Sequence, residues 1–255
     1  MNQSSYEMGL VSISFRKHTP EEIVRAVKAA GLTCIEWGSD VHAPCRDTAR
    51  LYEIAALQEQ YGVTCSSYGT YFRLGVTPIE ELADYISAAK ILGTTILRLW
   101  GGSKPGSDMT AEELAAFTDT CKQAAAMAEE AGVILCLECH MLSITETPDY
   151  GVALMEAVNS PAFRMYWQPF QWMDAEGSLE VARAYAPFAE HVHVFNWQPP
   201  KMSPQKHPLT EAVEDWRAYL AVLPPPRALL LEFMPDDRIE SLPVEAEALR
   251  TIIGG

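Results

Sequence analysis

The strongest constraint on the fold is a regular alternation of short apolar runs with helical patterns along all 255 residues. Short apolar runs bounded by turn residues are typical of strands buried on both faces of a parallel sheet. Several helical patterns open with threonine and proline, as at Thr19-Pro20, and such residues favour the start of a helix. The eight predicted strands cover 9–15, 34–37, 63–68, 95–100, 133–138, 163–168, 191–196 and 228–233. Eight strand–helix units in a chain of this length predict an α/β fold, a (β/α)8 TIM barrel, with one domain over 1–255.

Composition narrows the class of partner. The formal net charge is −15, which argues against nucleic acid and against an anionic membrane surface, because both need a basic binding face. No apolar stretch is long enough to span a bilayer, and residues 1–5 lack the pattern of a secretory signal. The six cysteines form no close disulfide framework, and several of them fall inside apolar runs, where a free cysteine behaves as a small buried hydrophobic residue. We therefore expect a cytoplasmic protein with reduced thiols.

Polar side chains follow four successive apolar runs, at the carboxyl end of each: Glu138, Gln168, His193 and Glu232. In a TIM barrel the carboxyl ends of the strands form the active-site face. Two carboxylates, an amide oxygen and an imidazole suit Mn²⁺ or Mg²⁺, and Zn²⁺ is a further option. The sequence thus predicts a metal site. The alternative is a structural network in which the two glutamates pair with Arg98 or with histidines.

Other strand ends also carry polar and aromatic groups, whereas the opposite ends are apolar. The predicted substrate-contacting set is Glu36, Trp37, Asp40, His42, Tyr68, Arg98, Trp100, His140, Gln171, Asn196 and Trp197. For each tryptophan, packing within the barrel is the alternative interpretation.

Four segments resemble a known family: Ile35–His42, Leu137–His140, His193–Trp197 and Leu231–Phe233. Together they are similar to the xylose isomerase-like TIM barrels, the sugar phosphate isomerases and epimerases, over nearly the whole chain. In that family glutamate, aspartate, histidine and glutamate from strands five to eight hold a divalent metal. The chain departs from the pattern at strand six, where Gln168 replaces the aspartate and Gln171 replaces a histidine. The amide removes one negative charge from the site.

The resemblance implies an isomerase or epimerase that acts on a sugar or keto-polyol, with Mn²⁺ as the first choice of cofactor and Mg²⁺ or Zn²⁺ as alternatives. It implies that Glu138 and Glu232 are catalytic, one removing a proton beside a carbonyl and the other returning it through an enediolate. Tryptophans would stack on the sugar, and Asp40, His42, Arg98 and His140 would bind its hydroxyls. We expect a neutral small-molecule sugar or polyol as the partner, and a homo-oligomer is left open.

Other functions remain open at this level. A metal-dependent lyase that dehydrates a keto-polyol or keto-glycoside would share the first proton abstraction. A metal-free glycosidase would also use two carboxylates in a barrel mouth. A non-catalytic carbohydrate-binding barrel with a degraded metal site would keep the tryptophans but would not need Glu138 and Glu232 together.

Overall fold

The computed structural model describes residues 6–170, 173–198 and 205–254. Its centre is a closed barrel of eight parallel strands in the order β1-β8-β7-β6-β5-β4-β3-β2. The predicted TIM barrel is therefore confirmed. The strands are β1 Glu7–Val11, β2 Cys34–Gly38, β3 Thr64–Arg73, β4 Ile96–Trp100, β5 Ile134–Glu138, β6 Phe163–Trp167, β7 Ala189–Val194 and β8 Ala228–Leu231.

A helix follows every strand and packs on the outside of the barrel. Thr19 begins the first helix with a reciprocal capping box to Glu22, and Thr110 does the same with Glu113 for the fourth. Within the described residues, no helix is both long enough and apolar enough to cross a bilayer. The helices are α1 Pro20–Ala29, α2 Thr48–Tyr61, α3 Leu82–Leu92, α4 Ala111–Ala131, α5 Pro148–Val158, α6 Ala175–Tyr185, α7 Val213–Val222 and α8 Leu242–Ile253.

The structure corrects several predicted boundaries. The first strand ends at Val11 rather than at residue 15, because Ser12–Phe15 turns into a 3₁₀ helix whose Ser12 hydroxyl accepts the Gly38 N–H at 2.9 Å. Helix α6 begins at Ala175, where the Asp174 side chain caps it by accepting the N–H of Gly177. A short antiparallel hairpin, Trp197–Gln198 with Gln205–Lys206, follows β7 and was not predicted.

Buried apolar side chains form two separate clusters. The larger lies between the barrel and its helices and includes Trp37, Trp167 and Trp216. The smaller fills the barrel interior from six strands, and its members are Val11, Cys34, Ile96, Cys136, Tyr166, Ala228 and Leu230. Its position matters for the site, because side chains two residues apart on a strand point to the same side of the sheet.

Candidate metal and catalytic site

A layer of polar side chains covers the carboxyl-terminal end of the barrel interior. Five of its members follow an apolar interior residue by two positions along the chain, and His193 follows the buried His191 in the same way, so all six point into the barrel. Each is at least nine-tenths buried, and the fully buried members are Glu36 and His193. The layer consists of Glu36, Arg98, Glu138, Gln168, His193 and Glu232.

Arg98 joins two of the carboxylates. Its Nε donates to Oε1 of Glu36 at 2.7 Å, and its Nη1 donates to Oε2 of Glu138. The other Glu36 oxygen, Oε2, accepts the Ser67 hydroxyl at 3.0 Å. Burying one charge without a partner is very costly, so the guanidinium compensates the buried charge of Glu36 and joins that carboxylate to Glu138. The structural network considered for the two glutamates is therefore present: Glu138 pairs with Arg98, and Glu232 lies 3.4 Å from His193.

His193 lies at the centre of the layer. Its Nε2 is 3.3 Å from Oε2 of Glu36. Its Nδ1 is 3.0 Å from Oε1 of Gln168, 3.4 Å from Oε2 of Glu232 and 3.8 Å from Oε1 of Glu138. Gln168 is oriented by its amide nitrogen, which donates to the Cys139 carbonyl at 2.9 Å and leaves the amide oxygen facing the imidazole.

Burial and neighbouring charges shift the pKa values of Glu36 and Glu232 in opposite directions. Burial opposes ionisation of Glu36, but the charges of Arg98 and His193 outweigh it and hold the pKa of that carboxyl well below its ordinary range. Burial also disfavours protonated His193, yet Glu232 and Glu36 together raise its pKa. For Glu232, burial dominates and raises the pKa to about 7, with Glu138 adding to the rise and His193 opposing it. Glu232 is thus suited to hold or release a proton near neutral pH.

The resemblance implies a divalent metal, so the distances in this layer can be compared with the coordination geometry of such an ion. Oxygen and nitrogen ligands of an octahedral Mg²⁺ lie about 3 Å from one another, given bonds of about 2.0–2.1 Å. The three oxygens near His193 Nδ1 lie at 3.0–3.8 Å from it, and Oε2 of Glu232 is buried without a hydrogen-bond partner. Across the described ranges, no group of three or more His, Cys, Asp and Glu side chains is placed to hold a metal. The donor types and the unpartnered Oε2 of Glu232 suit a divalent cation, with the Gln168 oxygen as a further ligand, but the described His and Glu side chains alone are not close enough together to hold one.

Two of the predicted substrate contacts point away from the barrel interior. Trp37 is fully buried, and its indole N–H donates to Gln58 on α2 at 2.7 Å. The Tyr68 hydroxyl donates to the Ala43 carbonyl at 2.5 Å, also outside the barrel. Both positions alternate with interior ones on β2 and β3. For Trp37 this placement favours the packing interpretation, and Tyr68 also lies on the outer side of the barrel.

The structure places four more predicted contacts at the end of β4 and in the loops that follow β2 and β5. Asp40 forms an ion pair with Arg16, and His42 is buried with Nδ1 3.1 Å from the Ser12 hydroxyl. Trp100 and His140 contact each other, with ring centroids 4.2 Å apart.

The last predicted contacts follow β6 and β7. The Asn196 amide donates to the Pro208 carbonyl at 2.9 Å, and the Trp197 ring lies 4.8 Å from that of Phe233. Both residues line a cavity of about 330 Å³ that reaches α6 and α7. Gln171 lies outside the described residues.

Sequence reasoning missed three members of the site. Ser67 supports Glu36, and the fully buried Tyr166 places its ring 4.8 Å from that of His193. Gly69 leaves room for the ion pair, since a Cβ there would lie 2.6 Å from Oε1 of Glu36 and 2.8 Å from Nη2 of Arg98. Strand alternation could have found Tyr166, which precedes Gln168 by two residues. The register shift between β2 and β3 that brings Ser67 beside Glu36 has no comparable sequence signal.

Comparison with solved structures shows the same fold in several proteins of low sequence identity. A probable 3-DHS dehydratase from Bacillus anthracis is 14% identical with a TM-score of 0.74, over 96% of this chain and 98% of that one. A xylose isomerase-like TIM barrel protein from Mycobacterium smegmatis, in complex with magnesium, is 16% identical with a TM-score of 0.73, over 100% and 99% of the two chains. A 3-keto-D-glucoside 4-epimerase from E. coli is 12% identical with a TM-score of 0.69, over 97% and 100%.

Comparison with curated proteins found no match. A family model described as "Xylose isomerase-like TIM barrel" matches residues 24–248. That match covers most of the barrel and carries the segments that hold Glu36, Glu138, His193 and Glu232. The chain therefore belongs to the xylose isomerase-like TIM barrel family.

Proposed function

We propose that the chain is a divalent-metal-dependent isomerase or epimerase that moves a proton at a carbon beside the carbonyl of a sugar or keto-polyol. The observation that carries the proposal is the convergence of Glu138, Gln168 and Glu232 on Nδ1 of His193. The two glutamates belong to β5 and to the end of β8, with β6 and β7 between them. They therefore approach a common point from different sides, as removal and return of one proton require.

Each residue of the layer would have a different role in the reaction. Arg98 donates to one oxygen of Glu138 and leaves the other, Oε1, facing the centre of the site. Burial raises the pKa of Glu232 to about 7, so this residue can accept the proton removed from the substrate or deliver the proton that replaces it. A divalent cation held by Glu138, Gln168, His193 and Glu232 would supply Lewis-acid stabilisation of negative charge on the substrate's enediolate. All four side chains are buried, which would limit the access of bulk water to the reacting carbon.

Substrate contacts would come from the loops around this layer. Trp100, His140, Asn196 and Trp197 offer aromatic faces and hydrogen-bonding groups, which suit the faces and hydroxyls of a sugar. Epimerases and a dehydratase occur among the solved structures that share the fold. At 12–16% identity that likeness supports the fold, so the substrate class rests on the site itself.

The test begins with elemental analysis of the purified protein, followed by incubation with ketoses, keto-inositols and keto-glucosides in deuterated water. We expect about one divalent ion per chain, and deuterium uptake beside the carbonyl that stops after chelation and returns with Mn²⁺ or Mg²⁺. A product lighter by one water would identify a dehydratase with the same first step. Cleavage of a glycoside by metal-free protein would reject the proposal in favour of a glycosidase.

A further inference from the structure

We infer that a cavity of about 360 Å³ between the loops that follow β1 and β8 is a subsite for a carboxylate group on the substrate. The inference rests on the proposed function for the reacting end of the substrate, and it replaces the expected neutral sugar or polyol with a sugar acid. One wall of this β1–β8 cavity is Phe233, the residue directly after Glu232, so the cavity begins one residue from the polar layer.

Phe233 is held toward the β1–β8 cavity in an unfavourable backbone conformation. Leu231 packs between the barrel and the helices and Glu232 points inward, so continued strand alternation would turn Phe233 outward again. Its φ of +55° ends the alternation instead, and bulky side chains rarely adopt that conformation. The Ser14 hydroxyl accepts the Phe233 N–H at 3.1 Å, and the ring lies 4.8 Å from that of Trp197. Strained residues of this kind are concentrated at positions that hold ligands.

The wall of the β1–β8 cavity is rich in basic groups, although the formal net charge of the chain is −15. It carries Arg16, Lys17 and Lys206, and the one carboxylate among its described lining residues is that of Asp237. The cavity of about 330 Å³ that reaches α6 and α7 is the opposite case, because its described lining includes two aspartates and neither lysine nor arginine. The two cavities therefore differ in the sign of the charge that each would accept.

Lys17 is the basic residue that is most available to a ligand. Within the described part of the chain, its ammonium forms neither an ion pair nor a hydrogen bond. Arg16 pairs with Asp40, and Lys206 pairs with Asp237. Both pairs are partly exposed and therefore weak, so an anionic ligand can compete for their cations.

The available donors suit a singly charged carboxylate. The Ser14 oxygen accepts from Phe233, and its own hydrogen is not donated to any other described residue, so it can be offered to a ligand. Hydrogen bonds between a carboxylate and an ammonium are about twice as strong as neutral ones. A phosphate would bring a second negative charge near Asp237, and the described lining contains no glycine to bring backbone N–H groups close to it.

Three probes of equal chain length that cannot react test the subsite: D-glucitol, which is neutral, D-gluconate, which carries a carboxylate, and D-glucitol 6-phosphate. Isothermal titration calorimetry measures their affinities for wild type, for Lys17→Met and for a control, Lys122→Met. Lys122 is a matched control because it too is exposed and has no partner among the described residues, yet it lies on α4 outside the barrel. Each substitution removes one exposed charge, so the fold should be retained.

Wild type and Lys122→Met should bind D-gluconate at least about 10-fold more tightly than D-glucitol, the usual effect of a hydrogen bond to a charged group. In Lys17→Met that preference should disappear while the affinity for D-glucitol stays the same. A wild type that does not prefer D-gluconate to D-glucitol would overturn the inference, and so would an unchanged preference in Lys17→Met. Tighter binding of D-glucitol 6-phosphate than of D-gluconate would overturn the assignment to a carboxylate in favour of a phosphate.

Deuterium uptake from D-fructose and from D-fructuronate, its counterpart with a terminal carboxylate, separates the subsite from the proposed function. D-fructuronate should have the higher kcat/KM, and Lys17→Met should raise the KM for D-fructuronate alone. Binding of D-gluconate that depends on Lys17, with no uptake from any keto sugar, would reject the proposed function and keep the subsite. Uptake from neutral keto sugars with no preference for D-gluconate would do the reverse.

Discussion

The barrel interior contains two layers that come from the same strands and differ in chemistry. Toward the amino-terminal ends it is filled by small and apolar groups such as Cys34, Ile96 and Leu230. Two residues further along those strands stand Glu36, Arg98 and Glu232. Both layers are buried equally well, so burial alone does not distinguish structure from function. The difference lies in what stabilises each layer: apolar packing in the first, mutual neutralisation of charge in the second.

The largest expected effect is on activity, and it belongs to the polar layer. Glu232→Gln should reduce deuterium uptake by about 10²–10⁴-fold, the usual contribution of a positioned proton donor or acceptor. The fold should survive, because Oε2 of Glu232 has no hydrogen-bond partner to lose. Solvent exchange into a confirmed substrate measures the first effect, and thermal melting measures the second. Glu245→Gln serves as the control, because Glu245 is a buried glutamate on α8 that accepts the Leu209 N–H outside the barrel. Unchanged uptake in Glu232→Gln would remove this residue from the mechanism.

The next effect concerns stability of the same layer. Arg98→Met leaves Glu36 and Glu138 buried without the cation that joins them, so the free energy of unfolding should fall by about 3–5 kcal/mol. Urea unfolding followed by circular dichroism measures the change. Combining it with Glu36→Gln should restore part of the loss, because one buried charge is then removed. A single variant as stable as wild type would show that the polar layer does not depend on the guanidinium.

The apolar layer should respond in stability alone. Leu230→Ala removes a fully buried side chain and leaves a cavity, which costs about 2–5 kcal/mol of unfolding free energy. Deuterium uptake at a temperature where the variant is folded should stay close to wild type. Leu230→Ile keeps the volume and should cost less than about 1.5 kcal/mol. A large loss of uptake in folded Leu230→Ala would mean that the two layers are mechanically coupled.

The sequence predicts the architecture well because strands and helices are marked by patterns of residues that are close together in the chain. Apolar runs and threonine caps are signals of this kind. All eight predicted strands are present in the structure. The errors were at ends whose structure depends on distant contacts, such as Ser12 accepting from Gly38. The single-domain assignment over 1–255 stays a prediction.

Part of the site could also be predicted, because the ends of the strands can be recognised in the sequence. Strand ends indicated which polar residues would gather, and the structure brings Glu138, Gln168, His193 and Glu232 together. The sequence does not predict as well which side chains point into the barrel. Trp37 and Tyr68 point outward, while their neighbours on the strand point inward. Pairing of charges across the barrel could not be read from the chain, because it joins residues as far apart as Glu36 and His193.

The smallest expected loss of stability in the barrel interior tests the residue that makes room for the Glu36–Arg98 ion pair. Gly69→Ala places a Cβ within 2.6 Å of Oε1 of Glu36 and 2.8 Å of Nη2 of Arg98, so the ion pair must shift. Overpacking of this kind costs about 1–3 kcal/mol, and uptake should also fall, because a displacement near 1 Å can cost about 100-fold.

The matched variant is Gly93→Ala, at a helix end with φ of +83° and open space around the new methyl group. It should cost about 1–2 kcal/mol through backbone strain while uptake stays at the wild-type level. The pair of variants therefore holds the loss of stability similar and changes only its place in the fold. If Gly69→Ala and Gly93→Ala lower stability alike and neither lowers uptake, the Glu36–Arg98 pair supports the barrel and not the chemistry above it.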